Sequence, residues 1–164
     1  MDYLRLALAQ AHKCEPVPTA FCVGCVLVAH WPDETPVVVA TGYSRELAGN
    51  THAEANALAK FRAVDLTQLF PSCDPASLNV DDILQTVDVY TTMEPCSIRT
   101  SGLSPCADAL LAAKVKRCFI GVSEPNDFVV CEGTQKLKQG GIQVVYLKGL
   151  EEDCLRVARK GHVQ

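Results

Sequence analysis

Val87-Asp88-Val89-Tyr90-Thr91-Thr92-Met93-Glu94-Pro95-Cys96 is the stretch on which the fold turns. Residues 87–92 are rich in β-branched and aromatic side chains, which predicts a buried strand. Its carboxyl end delivers Glu94-Pro95-Cys96. In sheets built from alternating strands and helices, that is the end where functional groups collect.

Upstream, residues 64–85 contain Pro71, Pro75, Asn79 and the pair Asp81-Asp82, which predicts an insertion with little regular structure. Before it, residues 52–63 read as a helix capped by Asn50 or Thr51. Residues 21–29 and 37–41 are apolar runs separated by Pro32-Asp33-Glu34-Thr35-Pro36, the mark of a hairpin. Residues 2–13 put Leu4, Leu8 and Ala11 on one helical face until Pro16 and Pro18 stop the helix.

Downstream, residues 98–103 form a polar loop. Ser104 reads as an N-cap and Pro105 as the first helical residue, so Cys106 falls in the first turn of a helix ending at Ala113. A strand over 117–122, a loop over 123–127, a short helix over 132–139 ended by Gly140-Gly141, a strand over 142–147 and a helix over 150–161 follow. Helix, hairpin, then alternating helices and strands predict an α/β fold: a three-layer α/β/α sandwich around a mixed five-stranded sheet.

The 164 residues are read as one domain, 1–164, large enough for a core without disulfide support. A net charge of −4 argues against a chain built to hold long nucleic acid. Nine cysteines is an odd number spread along the chain, so complete internal pairing is excluded and a reducing cytoplasmic or nuclear setting is expected. The first residues lack a basic segment followed by an apolar signal core, and no apolar run reaches the roughly 18 residues of a membrane span.

His52-Ala53-Glu54, Pro95-Cys96 and Pro105-Cys106 together offer one imidazole, two thiols and a carboxylate. Three protein ligands, His52, Cys96 and Cys106, suit a catalytic zinc site whose fourth position stays open. Zinc moves the pKa of a water from 15.7 towards about 7. Glu54 is then the proton carrier: it takes the water's proton, passes it to a ring nitrogen and protonates the departing amine. In zinc deaminases His-x-Glu precedes Pro-Cys and a further Cys in this order. Ala53 leaves room for a ring, and its N–H is a candidate contact to the base.

A lone His-x-Glu or Pro-Cys is usually a helix start or a packed thiol; their joint order at element ends is what carries the assignment. Cys14, Cys22, Cys25, Cys73, Cys118, Cys131 and Cys154 lack ligand spacing and are read as structural thiols. His12, His30 and His162 belong to no second constellation.

These motifs resemble the cytidine deaminase-like superfamily and, within it, the fungal-type pyrimidine deaminase of riboflavin biosynthesis. The segments that carry the resemblance are Val23-Gly24-Cys25-Val26-Leu27-Val28, Asn50-Thr51-His52-Ala53-Glu54, Thr92-Met93-Glu94-Pro95-Cys96-Ser97 and Pro105-Cys106-Ala107-Asp108-Ala109-Leu110. The most discriminating feature is the nine-residue gap between Cys96 and Cys106, which nucleoside and RNA deaminases usually close to two. The resemblance implies one zinc ion, a cytidine deaminase-like fold, a homodimer and a phosphorylated ribitylamino pyrimidine as substrate. The chain ends where bacterial bifunctional members continue into a reductase domain, and in this it looks more like the fungal form. Thr19-Ala20-Phe21-Cys22 stands where bacterial members have Pro-Asn-Pro, so that substrate contact does not transfer. A phosphate needs a cation, and Arg99 with Ser97, Thr100 and Ser101 is the candidate set, with Ser44 a further candidate.

Other readings keep the zinc and change the rest. A nucleoside, nucleotide or tRNA deaminase is opposed by the cysteine gap, and for tRNA also by the acidic charge. A catalytically dead zinc-binding partner subunit is opposed by the presence of Glu54. A structural zinc module would need a fourth ligand that is not evident.

Overall fold

A computed structural model describes residues 2–32, 34–99, 102–125 and 132–162. In chain order the elements are α1 (Asp2–Ala11), β1 (Gly24–Ala29), β2 (Val37–Tyr43), α2 (Ala53–Arg62), α3 (Leu66–Leu69), a 3-10 turn (Pro75–Ser77), α4 (Val80–Leu84), β3 (Val87–Met93), α5 (Cys106–Ala112), β4 (Arg117–Val122), α6 (Gly133–Gln139), β5 (Gln143–Tyr146) and α7 (Glu151–Ala158).

The strands form one five-stranded sheet in the order β2-β1-β3-β4-β5. β1 pairs antiparallel with β2 and β3, while β3–β4 and β4–β5 are parallel. The mixed sheet and its three layers are therefore as the sequence predicts. Alternation along the strands divides the core. Cys25, Leu27, Val87, Val89, Cys118 and Ile120 pack under α2, α5 and α6 with Ala57, Phe61, Leu110 and Leu137. Val26, Val28 and Tyr90 face α1 and α7, meeting Leu4, Ala7 and Cys154.

Glycine sets how near two of these helices lie. A Cβ on Gly24 would stand 2.0 Å from the Ala7 carbonyl oxygen of α1, and one on Gly42 would stand 2.2 Å from that of Ala53 in α2. Real side chains do not tolerate such contacts, so α2 rests directly on β2 and its first turn is fixed against the sheet. Asn56, 1% exposed, holds the connection from below: its amide donates to the Tyr43 carbonyl at 2.8 Å and to Thr51 Oγ1 at 3.0 Å.

The buried Asp88 joins β3 to β4 at the opposite end of the sheet from Cys96. Its carboxylate accepts from Arg117 Nε at 2.7 Å and from Arg117 Nη2, and His30 Nε2 lies 2.7 Å from it. The Arg117 guanidinium also lies over the Phe119 ring, which stacks on Tyr90.

Four expectations need correction. Residues 64–85 are not irregular: α3, the 3-10 turn and α4 are capped by Asp65, Asp74 and Asn79, whose side chains accept from the following backbone N–H groups. Phe70, Ile83 and Leu84 bury that segment in the main core. The cap of α2 is His52, not Asn50 or Thr51, because the Thr51 hydroxyl donates to the Leu47 carbonyl and accepts from Asn56. Pro105 rather than Ser104 is the residue before α5. β1 starts at Gly24, not Phe21, and Phe21 and Val23 just before it line a cleft. Cys131, Thr100, Ser101 and residues 126–127 lie outside the described residues. Among the described residues no helix is long and apolar enough to cross a membrane.

Candidate active site

Three chain segments converge at the carboxyl end of β3. His52 precedes α2 in an extended conformation (φ −100°, ψ 156°) and its side chain makes no capping bond, so the imidazole is free to leave the helix. Cys96 follows β3 and Cys106 opens α5. His52 Nδ1 lies 3.4 Å from Cys96 Sγ and 3.5 Å from Cys106 Sγ.

The three atoms fit a zinc ion. Tetrahedral bonds of about 2.3 Å to sulfur and 2.0–2.1 Å to nitrogen require N···S edges of about 3.5 Å. The two edges found agree with that, and all three candidate ligand atoms lie within 4.8 Å of one another. The backbone N–H of Cys106 donates to Cys96 Sγ at 3.3 Å, a bond that favours thiolate. Contact with the Cys106 side chain, aided by His52 and that N–H, holds the Cys96 thiol well below its usual pKa, while Cys106 is pushed up.

Glu54, in the first turn of α2, is 3% exposed and lines the same cleft as His52 and Cys96. Burial raises its pKa above the usual carboxylate range, and a hydrogen bond from Thr91 partly offsets this. Phe21 and Val23 form one wall of the cleft, with Arg45, Asn50 and Arg99 among the polar groups that line it.

The remaining candidates are placed unevenly. Arg99 lines the cleft and is tethered, donating to the carbonyls of Asn50 and, at 3.5 Å, Ser104. Ser44 also lines it, but its hydroxyl accepts from Val23 N–H at 3.0 Å. Ser97 Oγ turns to α6 and accepts from Glu132 N–H at 3.0 Å. Ala53 is fully buried and is not among the cleft-lining residues.

Three contributors are not among the predicted site residues. Arg45 sits at φ +63° and donates to the carbonyls of Glu15 (2.7 Å) and Phe21 (3.2 Å), pinning the loop that forms the cleft wall. Glu94 accepts from Thr134 N–H at 2.7 Å and from the Tyr146 hydroxyl at 3.3 Å, tying the Cys96 loop to α6 and β5. Thr91 lies beneath Glu54.

A mixed sheet with a His/Cys/Cys triangle and a buried glutamate at its strand ends is the arrangement found in zinc deaminases. A family model described as the cytidine and deoxycytidylate deaminase zinc-binding region matches residues 1–122, and the chain belongs to that family.

Among curated relatives, the chain is 41% identical over 161 residues to the diaminohydroxyphosphoribosylamino-pyrimidine deaminase of Schizosaccharomyces pombe, covering 98% of this chain and 35% of the relative. The chain spans about a third of the length of the curated relatives it matches first. Among solved structures it is similar to the Rib2 deaminase of Aspergillus oryzae, a C-terminal deletion mutant (TM-score 0.78, 35% identity, 98% of this chain and 91% of that one). A second structure of that enzyme, in complex with DARIPP, gives a TM-score of 0.77 at 34% identity, covering 98% of this chain and 90% of that one.

Proposed function

We propose that residues 1–164 are a single zinc-dependent deaminase domain acting on 2,5-diamino-6-ribitylamino-pyrimidinone 5'-phosphate in riboflavin biosynthesis. The observation that carries the proposal is the placement of buried Glu54 on the same cleft as two members of the His52/Cys96/Cys106 triangle. The similarity to a Rib2 deaminase solved with DARIPP supports the substrate class.

The reaction takes in one water, replaces C–NH₂ with C=O and releases one ammonia. A zinc ion held by His52, Cys96 and Cys106 supplies Lewis acidity and a water of lowered pKa. Glu54 moves the protons, from water to ring nitrogen and then to the departing amine. Its raised pKa brings it closer to neutral pH, where one group serves best as both base and acid. Phe21 and Val23 give the ring an apolar wall. Arg99, with Thr100, is assigned to the phosphate or the ribityl chain. Ser44 and Ser97 act on the cleft by holding the backbone of Val23 and Glu132.

We place the protein in the cytoplasm or nucleus and assign it a homodimer. Leu47, Ile98 and Leu103, which are 43%, 58% and 54% exposed, provide apolar surface for a second copy. Sedimentation at micromolar concentration tests the dimer directly.

The substrate is tested by ammonia release from the ribitylamino pyrimidine phosphate, its dephosphorylated form, cytidine, deoxycytidylate and tRNA. Turnover of the first compound above all others is expected. Preference for a nucleoside, a nucleotide or tRNA would retain the zinc chemistry and overturn the substrate.

A further inference from the structure

β3 is buried on both faces along its whole length, yet it carries two successive threonines, Thr91 and Thr92. A hydroxyl in such a place costs free energy unless it is hydrogen-bonded. Thr92 Oγ1, on the α1 side of the sheet, accepts from Gly24 N–H at 3.1 Å where β1 begins. Thr91, fully buried on the α2 side, has a different partner: its Oγ1 donates to Glu54 Oε1 at 2.6 Å across 37 residues of chain.

We propose that Thr91 is the positioning residue for Glu54, holding Oε1 from the sheet so that proton transfer falls to Oε2. The inference rests on the deaminase reading of the site. Glu54 stands on the first turn of a helix, and a carboxyl there rotates unless one oxygen is fixed. The sheet supplies the fixing group. Cys25, directly across from Thr91 in the β1–β3 ladder, and Cys118 of β4 line the same buried side. Both are thiols whose pKa burial raises, with Glu54 adding to the rise. They stay neutral, weak donors, whereas the threonine hydroxyl makes a short bond to a carboxylate. The Met93 carbonyl lies 3.0 Å from the same Oγ1. The single hydroxyl proton thus has two acceptors, and the shorter contact, 2.6 Å, is the one to Glu54.

The test compares Thr91→Val, which keeps the shape and removes the hydroxyl, with Thr91→Ser, which keeps the hydroxyl. In the zinc-loaded protein, Thr91→Val is expected to lower kcat by about 10- to 100-fold with KM within about twofold and zinc per chain unchanged, and Thr91→Ser to recover most of the loss. An unchanged kcat in Thr91→Val, or equal losses in the two variants, would overturn the assignment. If the parent releases no ammonia from any pyrimidine, the deaminase reading itself has failed. A double-mutant cycle of denaturant stability on Thr91→Val and Glu54→Gln at matched zinc content then decides: coupling is expected, and additivity would overturn the contact.

Discussion

Arg99 Nη2 donates to the carbonyl oxygen of Asn50, joining two loops that are 49 residues apart in the chain. One of those loops runs from Cys96 to Cys106 and the other leads into His52, so a single guanidinium braces both approaches to the metal triangle. Arg99 also lines the cleft, and a guanidinium there suits an anionic group.

Arg99→Ala is therefore expected to raise KM for the phosphorylated substrate by about tenfold or more, while zinc content stays at one per chain. Steady-state kinetics on the phosphorylated and dephosphorylated compounds separate the two roles. A loss confined to the phosphorylated one assigns the charge to the phosphate. Unchanged KM for both removes Arg99 from substrate binding.

Zinc removal should loosen the fold as well as the site, because the three ligands come from before α2, after β3 and the start of α5. With zinc at about 100 times its Kd, binding stabilises by about 2.7 kcal/mol, or about 5–10 °C in thermal midpoint for a chain of this size. Chelation is expected to remove that increment. Cys96→Ser and Cys106→Ser should lose most of it, whereas Cys73→Ser should retain it. Scanning calorimetry with metal analysis reads both, and a zinc-independent midpoint would contradict the shared site.

Asp88 and Arg117 give a prediction about stability alone. Asp88 is fully buried, whereas the Arg117 side chain is 33% exposed. Arg117→Met leaves a buried carboxylate with His30 as its remaining partner and is expected to cost about 3–5 kcal/mol. Asp88→Asn leaves a cation that water reaches and should cost less, about 2 kcal/mol. Because the cluster sits at the amino end of β3 and the site at the carboxyl end, kcat/KM at a temperature where both variants are folded should match the parent. Urea titrations beside activity assays check the order of the two costs.

The sheet was legible because its strands are long enough to show their pattern and because His52, Cys96 and Cys106 stand at element ends marked by Pro95 and Pro105. The helices between 64 and 85 were not, since pieces of three to five residues are too short to show a helical period. Their caps, Asp65, Asp74 and Asn79, were a signal that could have found them. Thr91 escaped notice for the opposite reason: a threonine in a strand reads as ordinary strand composition, and its role appears only when α2 folds over it. Arg45 left no trace, because its partners are backbone carbonyls with no sequence signature. Ser97 lies next to a ligand in sequence, but its hydroxyl turns to α6, which adjacency could not reveal.

The most direct measurement is ammonia release from the ribitylamino pyrimidine phosphate by the zinc-loaded parent and by Glu54→Ala at equal zinc content. Glu54 as proton carrier predicts a fall in kcat of about 10²- to 10⁴-fold, with the metal still bound by His52, Cys96 and Cys106. A Glu54→Ala protein that turns over at the parent's rate would contradict the account at its centre.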